Sequence, residues 1–143
     1  MSFSITRYNR PINMRAKAHR ANAEFYGIAA DLGKLAVGHA LSNFEAEGFI
    51  DEGFSKWAPR RSGKGGHKIL TKTGRLKRSV KLMSASRTKA VVGSNVPYSG
   101  IHNKGGVYGG KSYPQRKFLG HSKLLAEASI KVIIKRLNLA ARA

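Results

Sequence analysis

From Met14 to Glu47 the chain carries a helical period, and no other feature limits its fold as much. Phe25, Ile28, Ala29, Leu32, Leu35, Ala36, Ala40, Leu41 and Phe44 recur at steps of three and four residues. They draw an apolar stripe along one helical face. At 1.5 Å per residue such a helix is about 50 Å long, and a chain of 143 residues has to be built around it. Gly27, Gly33 and Gly38 interrupt the stripe, each weakening the helix by up to about 1 kcal/mol relative to alanine. Either packing compensates or a close neighbour makes small residues necessary. Gly48 reads as the residue that stops the helix.

The remaining segments are shorter. In residues 1–12, Phe3 and Ile5 alternate with Ser2, Ser4 and Thr6 before Pro11, the pattern of an arm that adds a strand to a sheet. Phe49, Phe54 and Trp57 have neither helical nor strand spacing and are read as wedging a loop against the core. Arg60–Lys68 is basic and glycine-rich, a flexible loop. Thr73–Val80 suggests a short ordered element, and residues 80–86 and 90–94 a hairpin turned at Arg87-Thr88-Lys89. Lys117-Phe118-Leu119 reads as a third strand. Ser122 caps a final helix over 122–140, with Leu124, Leu125, Ala128, Val132, Ile133, Ile134 and Leu137 apolar and Lys131, Lys135 and Arg136 opposite. The length suits a single domain over 1–143. The expected class is α+β: a long N-terminal helix over 14–47, a small antiparallel sheet with a hairpin, and a C-terminal helix packed on the sheet.

Charge sets the expected partners. Lys and Arg number 27 against 7 Asp and Glu, a net charge of +20. Glu24, Asp31, Glu45, Glu47, Asp51 and Glu52 precede residue 53, and after it only Glu127 is acidic. Self-repulsion of this size favours a polyanionic or acidic protein partner. Cysteine is absent, which removes disulfides, thiolate nucleophiles and Cys-based zinc sites. No run of 18 apolar residues and no leader-like start is visible, so neither a membrane span nor a membrane partner is expected.

One string invites an enzymatic reading. Gly105-Gly106-Val107-Tyr108-Gly109-Gly110-Lys111-Ser112 satisfies G-x-x-x-x-G-K-S, the phosphate-cradling loop of nucleotide hydrolases. That chemistry needs a buried strand before the loop, a helix after it and an Asp for magnesium. Ile101-His102-Asn103-Lys104 is no buried strand, Pro114 follows closely, and no Asp occurs after Asp51. His19, His39, His67, His102 and His121 are scattered, without carboxylates at ligand spacing. Nothing resembles a nucleophile elbow. The expectation is a protein without catalytic residues, cofactor or metal.

Basic residues interleaved with aromatics carry more. Arg60, Arg61, Lys64, Lys68, Lys72, Arg75, Lys77, Arg78 and Lys81 form one cluster. Lys104, Lys111, Arg116, Lys117 and Lys123 form another, beside Tyr98, Tyr108 and Tyr113. The loops at 60–68 and 103–113 are therefore candidate contact surfaces, with Arg60, Arg61, Lys64, Lys68, Lys104, Lys111, Arg116 and Lys117 meeting DNA phosphates or an acidic protein. No helix-turn-helix, zinc finger or RNP sequence supports base readout.

Four signatures in order, FSKWAP (54–59), ILTKTGRLKRSV (69–80), VVGSNVPYSGIHNKGG (91–106) and PQRKFLG (114–120), resemble the phage virion morphogenesis family over about residues 20–135. That family includes Mu-like morphogenesis proteins and tail-completion proteins. The last signature departs from the family's PARPFLG-like form in lacking the second proline. The resemblance implies a non-catalytic α+β subunit of the head–tail junction, assembled in the host cytoplasm and located in the virion. A homo-oligomeric ring, sixfold by analogy, would contact other junction and tail-tube proteins and touch genomic DNA without sequence preference. The resemblance also implies scaffold roles. Trp57 and Pro59 seat the loop after the long helix, and Thr73 and Gly74 start the short element containing Leu76. Tyr98 and His102 pack the turn into Gly105-Gly106, and Pro114, Phe118 and Leu119 return the chain to the sheet. The competing reading is a nonspecific nucleic-acid-binding protein.

Overall fold

The computed structural model describes residues 13–63 and 65–142; the arm expected at 1–12 and Lys64 lie outside the described residues. Helix α1 spans Met14–Ala46, 33 residues. Its first turn is capped by Asn13, whose Oδ1 accepts from the Ala16 N–H at 3.0 Å. The stop lies one residue earlier than the composition suggests. Glu47, not Gly48, takes the left-handed conformation (φ 54°), and its N–H reaches the Asn43 carbonyl. Gly48 is needed small for another reason: a Cβ there would lie 2.7 Å from the Ser55 carbonyl and press on the Phe54 ring.

Gly48 begins a hairpin that the sequence conceals. Strands β1 (Gly48–Ile50) and β2 (Phe54–Lys56) pair antiparallel, Phe49 opposite Ser55, where a wedged loop was expected. Three-residue strands are too short to show an alternation. A short helix α2 (Arg75–Ser79) follows, then β3 (Lys81–Ala85) and β4 (Ala90–Gly93), the expected hairpin, with a register shift between Leu82 and Ser84. Helix α3 covers Ser99–Lys104, and β5 (Gly106–Tyr108) with β6 (Lys111–Tyr113) makes a third hairpin inside the stretch read as a loop. Gly109 (φ 55°) and Gly110 (φ 72°) form its tight turn, the left-handed pair that a two-residue hairpin loop demands. Helix α4 closes the chain at Lys123–Arg142.

The architecture is α+β, long helix first and helix last, with the strands of the described residues in three separate antiparallel ribbons. Helix α4 lies chiefly along α1 and reaches the strands through its N-terminal end. There Asp51 accepts from the Lys123 N–H at 2.8 Å and from the Ser122 hydroxyl at 3.2 Å. Burial alone would raise the Asp51 carboxyl, but N–H groups of Lys123, Glu52 and Leu124 outweigh it and hold the group ionised. Further along, Arg136 of α4 grips Asp31 (2.7 Å) and Glu24 (2.9 Å) of α1. Its guanidinium lies about where a Cβ on Gly27 would begin to crowd it, at 3.0 Å.

The expected third strand at 117–119 is absent, because its backbone is claimed by side chains. Asn103 Oδ1 accepts from the N–H groups of Phe118 (2.8 Å) and Leu119 (2.9 Å). The Phe118 carbonyl accepts from Asn43 Nδ2 at 3.1 Å. Phe118 is thereby driven into the core of Ala40, Phe44, Trp57, Leu76, Val80 and Val96. Phe44 meets Trp57 edge-on at 5.6 Å and Phe118 at 5.0 Å between ring centroids, within the range in which aromatic pairs attract.

Candidate functional site

The segment from Tyr98 to Phe118 is a turn built on one amide. Besides its two acceptor bonds, Asn103 donates through Nδ2 to the Leu119 carbonyl at 2.9 Å, so α3 and the 118–119 backbone are locked together. The His102 carbonyl accepts from the Arg116 N–H at 2.8 Å. Gly105 (φ 72°) crosses so close to Gln115 that a Cβ would stand 2.8 Å from its backbone nitrogen. The His102 ring meets Tyr98 at 5.9 Å and Tyr113 at 6.0 Å, both edge-on. Its Nδ1 is buried with no hydrogen-bond partner. Burial, reinforced by the charge of Arg116, pushes the imidazole below its ordinary value, so it is neutral near pH 7.

The cations singled out from sequence divide into two groups. Arg116 is only 9% exposed, and its guanidinium donates to the carbonyls of Ala58 (3.0 Å) and Pro59 (2.9 Å). It fastens the loop after Trp57 and offers little to a partner. Burial and the neighbouring Arg60 lower its proton affinity. Lys117 stands 4.0 Å over the Phe49 ring and gives its carbonyl to the Trp57 indole at 2.9 Å. Lys68 pairs with Glu45 at 2.7 Å, and Lys77 reaches the same carboxylate. Hydrogen bonds from these two lysines hold Glu45 down at about 2.

Arg60, Arg61, Lys104 and Lys111 are available at the surface. Arg60 curls over its own loop, donating to the carbonyls of Gly65 (3.3 Å) and Lys68 (2.6 Å). Arg61 bridges to the Ser112 carbonyl of β6 at 2.9 Å, so the two basic loops touch. Lys104 and Lys111 are exposed. A hollow of about 360 Å³ opens between the 60–68 loop, α2 and α3. Thr73 and Leu76 line it, the latter also a core residue, and Gly74 (φ 68°) begins α2. Pro114 lines a neighbouring hollow, Leu119 packs on the core, and Pro59 is exposed apart from its carbonyl.

The nucleotide-loop string is a hairpin in space. Gly105 ends α3, Gly106–Tyr108 and Lys111–Tyr113 pair, and Ser112 lies within β6 instead of opening a helix. Its glycine amides do not cradle an anion at a helix start, the arrangement such chemistry requires. Among the described residues, no three His, Cys, Asp or Glu side chains come together as a metal site.

Besides Asn103, two structural side chains escaped the sequence reading. Asn43, fully buried, joins α1 to Ile50 N–H (2.9 Å) and to Phe118. Its only signal is a polar residue beside Phe44 on the apolar stripe. Asp51 gave no signal at all, since its partner helix lies 72 residues away.

The family signatures thus converge on one place: Trp57, Leu76 and Phe118 share the core, and Tyr98 and His102 lie over it. A model of the phage virion morphogenesis family matches residues 16–138, most of the chain. The chain belongs to this family. Compared with curated proteins and with solved structures, it has no match. As a family member it has a structural or assembly role in the phage virion, among other virion components. Among the described residues no helix is long and apolar enough to cross a membrane.

Proposed function

We propose that this protein is a ring-forming subunit of the phage head–tail junction, a tail-completion or neck protein that joins tail to head. Family membership supports the virion role, and the character of the surface supports assembly. On α4, Ile130, Ile134 and Leu137 form an outward apolar ridge, and Val107 and Tyr108 at the β5–β6 tip are each 73% exposed. Apolar side chains grouped in this way mark contact surfaces. The acids before residue 53 are engaged internally, with Arg136, Lys68, Lys77, Lys123, the Ile69 N–H and the start of α4. Apart from exposed Glu127, the outward face is left to cations, which would steer neighbours carrying negative charge. In this reading the α4 ridge meets subunits, and the 60–68 loop and Lys104 meet acidic neighbours or the passing genome. It has no catalytic step.

Light scattering of the purified protein, alone and mixed with tail proteins, tests the reading. Closed oligomers, or oligomers formed on mixing, are expected, and Ile134→Asp should abolish them while leaving the helical circular dichroism intact. A strictly monomeric protein indifferent to tail components rules it out. The second reading, a nonspecific nucleic-acid binder, is favoured by the uncompensated cations. It requires affinity falling about a thousandfold or more between low and moderate salt.

A further inference from the structure

Three hollows adjoin around α3 and share walls. The largest, about 360 Å³, includes Arg60, His67 and Lys72 in its lining. Tyr98 is common to it and to an apolar groove of about 320 Å³ formed with Pro97, Ile101 and Tyr108. Arg60 and His102 are common to it and to a third hollow of about 300 Å³, which adds Arg61 and Lys111. No acid lines any of the three. Their volumes lie at the lower end of ligand pockets.

Tyr98 therefore stands between a cationic hollow and an apolar groove, 39% exposed, with Tyr108 also lining the groove. Arg60 is held in position by loop carbonyls and not by a carboxylate, so its positive charge stays fixed and unneutralised at the wall. A ligand that suits both sides carries an anion directly beside a flat apolar ring. A peptide of Asp and Glu alone brings carboxylates without such rings. A duplex keeps its bases stacked inside and presents phosphates alone. A nucleotide of an unpaired strand has both parts, and aromatic platforms beside cations are how unpaired strands are held.

We propose that this surface binds single-stranded nucleic acid, seating a phosphate in the Arg60–Lys72 hollow and the adjacent base between Tyr98 and Tyr108. The inference goes beyond the junction reading and does not depend on it. Contacts of this kind carry no base preference.

Fluorescence anisotropy of the full chain with a short labelled oligothymidylate tests it. Tyr98→Ala and Tyr108→Ala are each expected to weaken binding about fivefold or more, the usual effect of losing one stacked base, while Tyr98→Phe retains it. Lys72→Glu should weaken binding more than Lys89→Glu, which makes the same charge change on the β3–β4 turn. With the strand bound, the His102 imidazole followed by NMR should titrate at higher pH, because a nearby anion favours its charged form. Tyr108 lies on an exposed hairpin tip, so its variant remains decisive even if Tyr98→Ala does not fold. Equal losses in Lys72→Glu and Lys89→Glu with no effect of Tyr108→Ala would overturn the proposal. So would a duplex or polyglutamate that binds as tightly as the strand. Inorganic phosphate that displaces the strand from wild type and Tyr108→Ala equally would reduce the site to a simple anion hollow, and the strand reading would fall. None of these results bears on ring formation, which is read by particle size.

Discussion

Asn43 and Asn103 hold the 118–119 backbone from opposite sides, one from α1 and one from α3. A buried amide in such a place stabilises less by the bonds it makes than by leaving no backbone group unpaired. Asn43→Ala strands the Ile50 N–H and the Phe118 carbonyl together, and each unsatisfied group costs about 1–3 kcal/mol. Urea denaturation should show a loss of several kcal/mol, with Asn43→Asp at least as damaging, since a carboxylate cannot donate to Phe118. An unchanged midpoint would show that water replaces the amide. His102 makes a pH-dependent contribution of definite sign. Its folded value is depressed below the ordinary 6.5, so under acid conditions the unfolded chain binds a proton that the folded chain resists. The stability present above about pH 6.5 should decline as pH falls through that value toward the lower folded one. The urea midpoint of wild type should drop between pH 7.5 and 5.5 more steeply than that of His102→Gln; parallel profiles would refute this origin.

At the scale of elements, the glycines of α1 do three different jobs. A Cβ on Gly27 would crowd Arg136, one on Gly33 would collide with Leu82, and one on Gly38 would meet nothing within 4 Å. Gly38→Ala should therefore raise stability by about 0.5–1 kcal/mol, the propensity difference alone, while Gly48→Ala lowers it by prising β2 from β1. Thermal melts of the two variants check the pair, and a Gly38→Ala that melts lower would mean this face of α1 is covered. Sequence periodicity revealed both long helices and the β3–β4 hairpin, because each repeats its pattern over enough residues. It missed β1–β2 and β5–β6, whose three-residue strands carry no period. It also mistook Lys117–Leu119 for a strand, since apolar residues bound by remote amides look locally like strand residues. The candidate surface was legible as a set of cations and tyrosines but not as a partition of them. Whether Arg116 faces outward or clasps Ala58 and Pro59 is decided 57 and 58 residues away.

For the whole molecule, the deciding quantity is the imbalance of 27 basic and 7 acidic side chains. Pairs such as Lys68–Glu45 and Lys123–Glu52 have more than 45% of each side chain exposed, and exposed pairs of this kind contribute about 0–1 kcal/mol each. Against them stands repulsion among many more cations, acting over about 30 Å at 0.01 M salt but only about 8 Å at physiological ionic strength. Salt weakens both effects, but repulsion involves the larger number of charges and the longer distances. The melting temperature should therefore rise with added sodium chloride over this range, the opposite of a fold held by surface ion pairs. A polyanion that binds the folded chain should raise it further at low salt, through mass action on the native state, and that increment should vanish as salt competes for the cations. A melting temperature that falls with salt would mean that internal pairs, with Arg136 foremost, dominate the electrostatics. The basic face would then be no driving force for assembly.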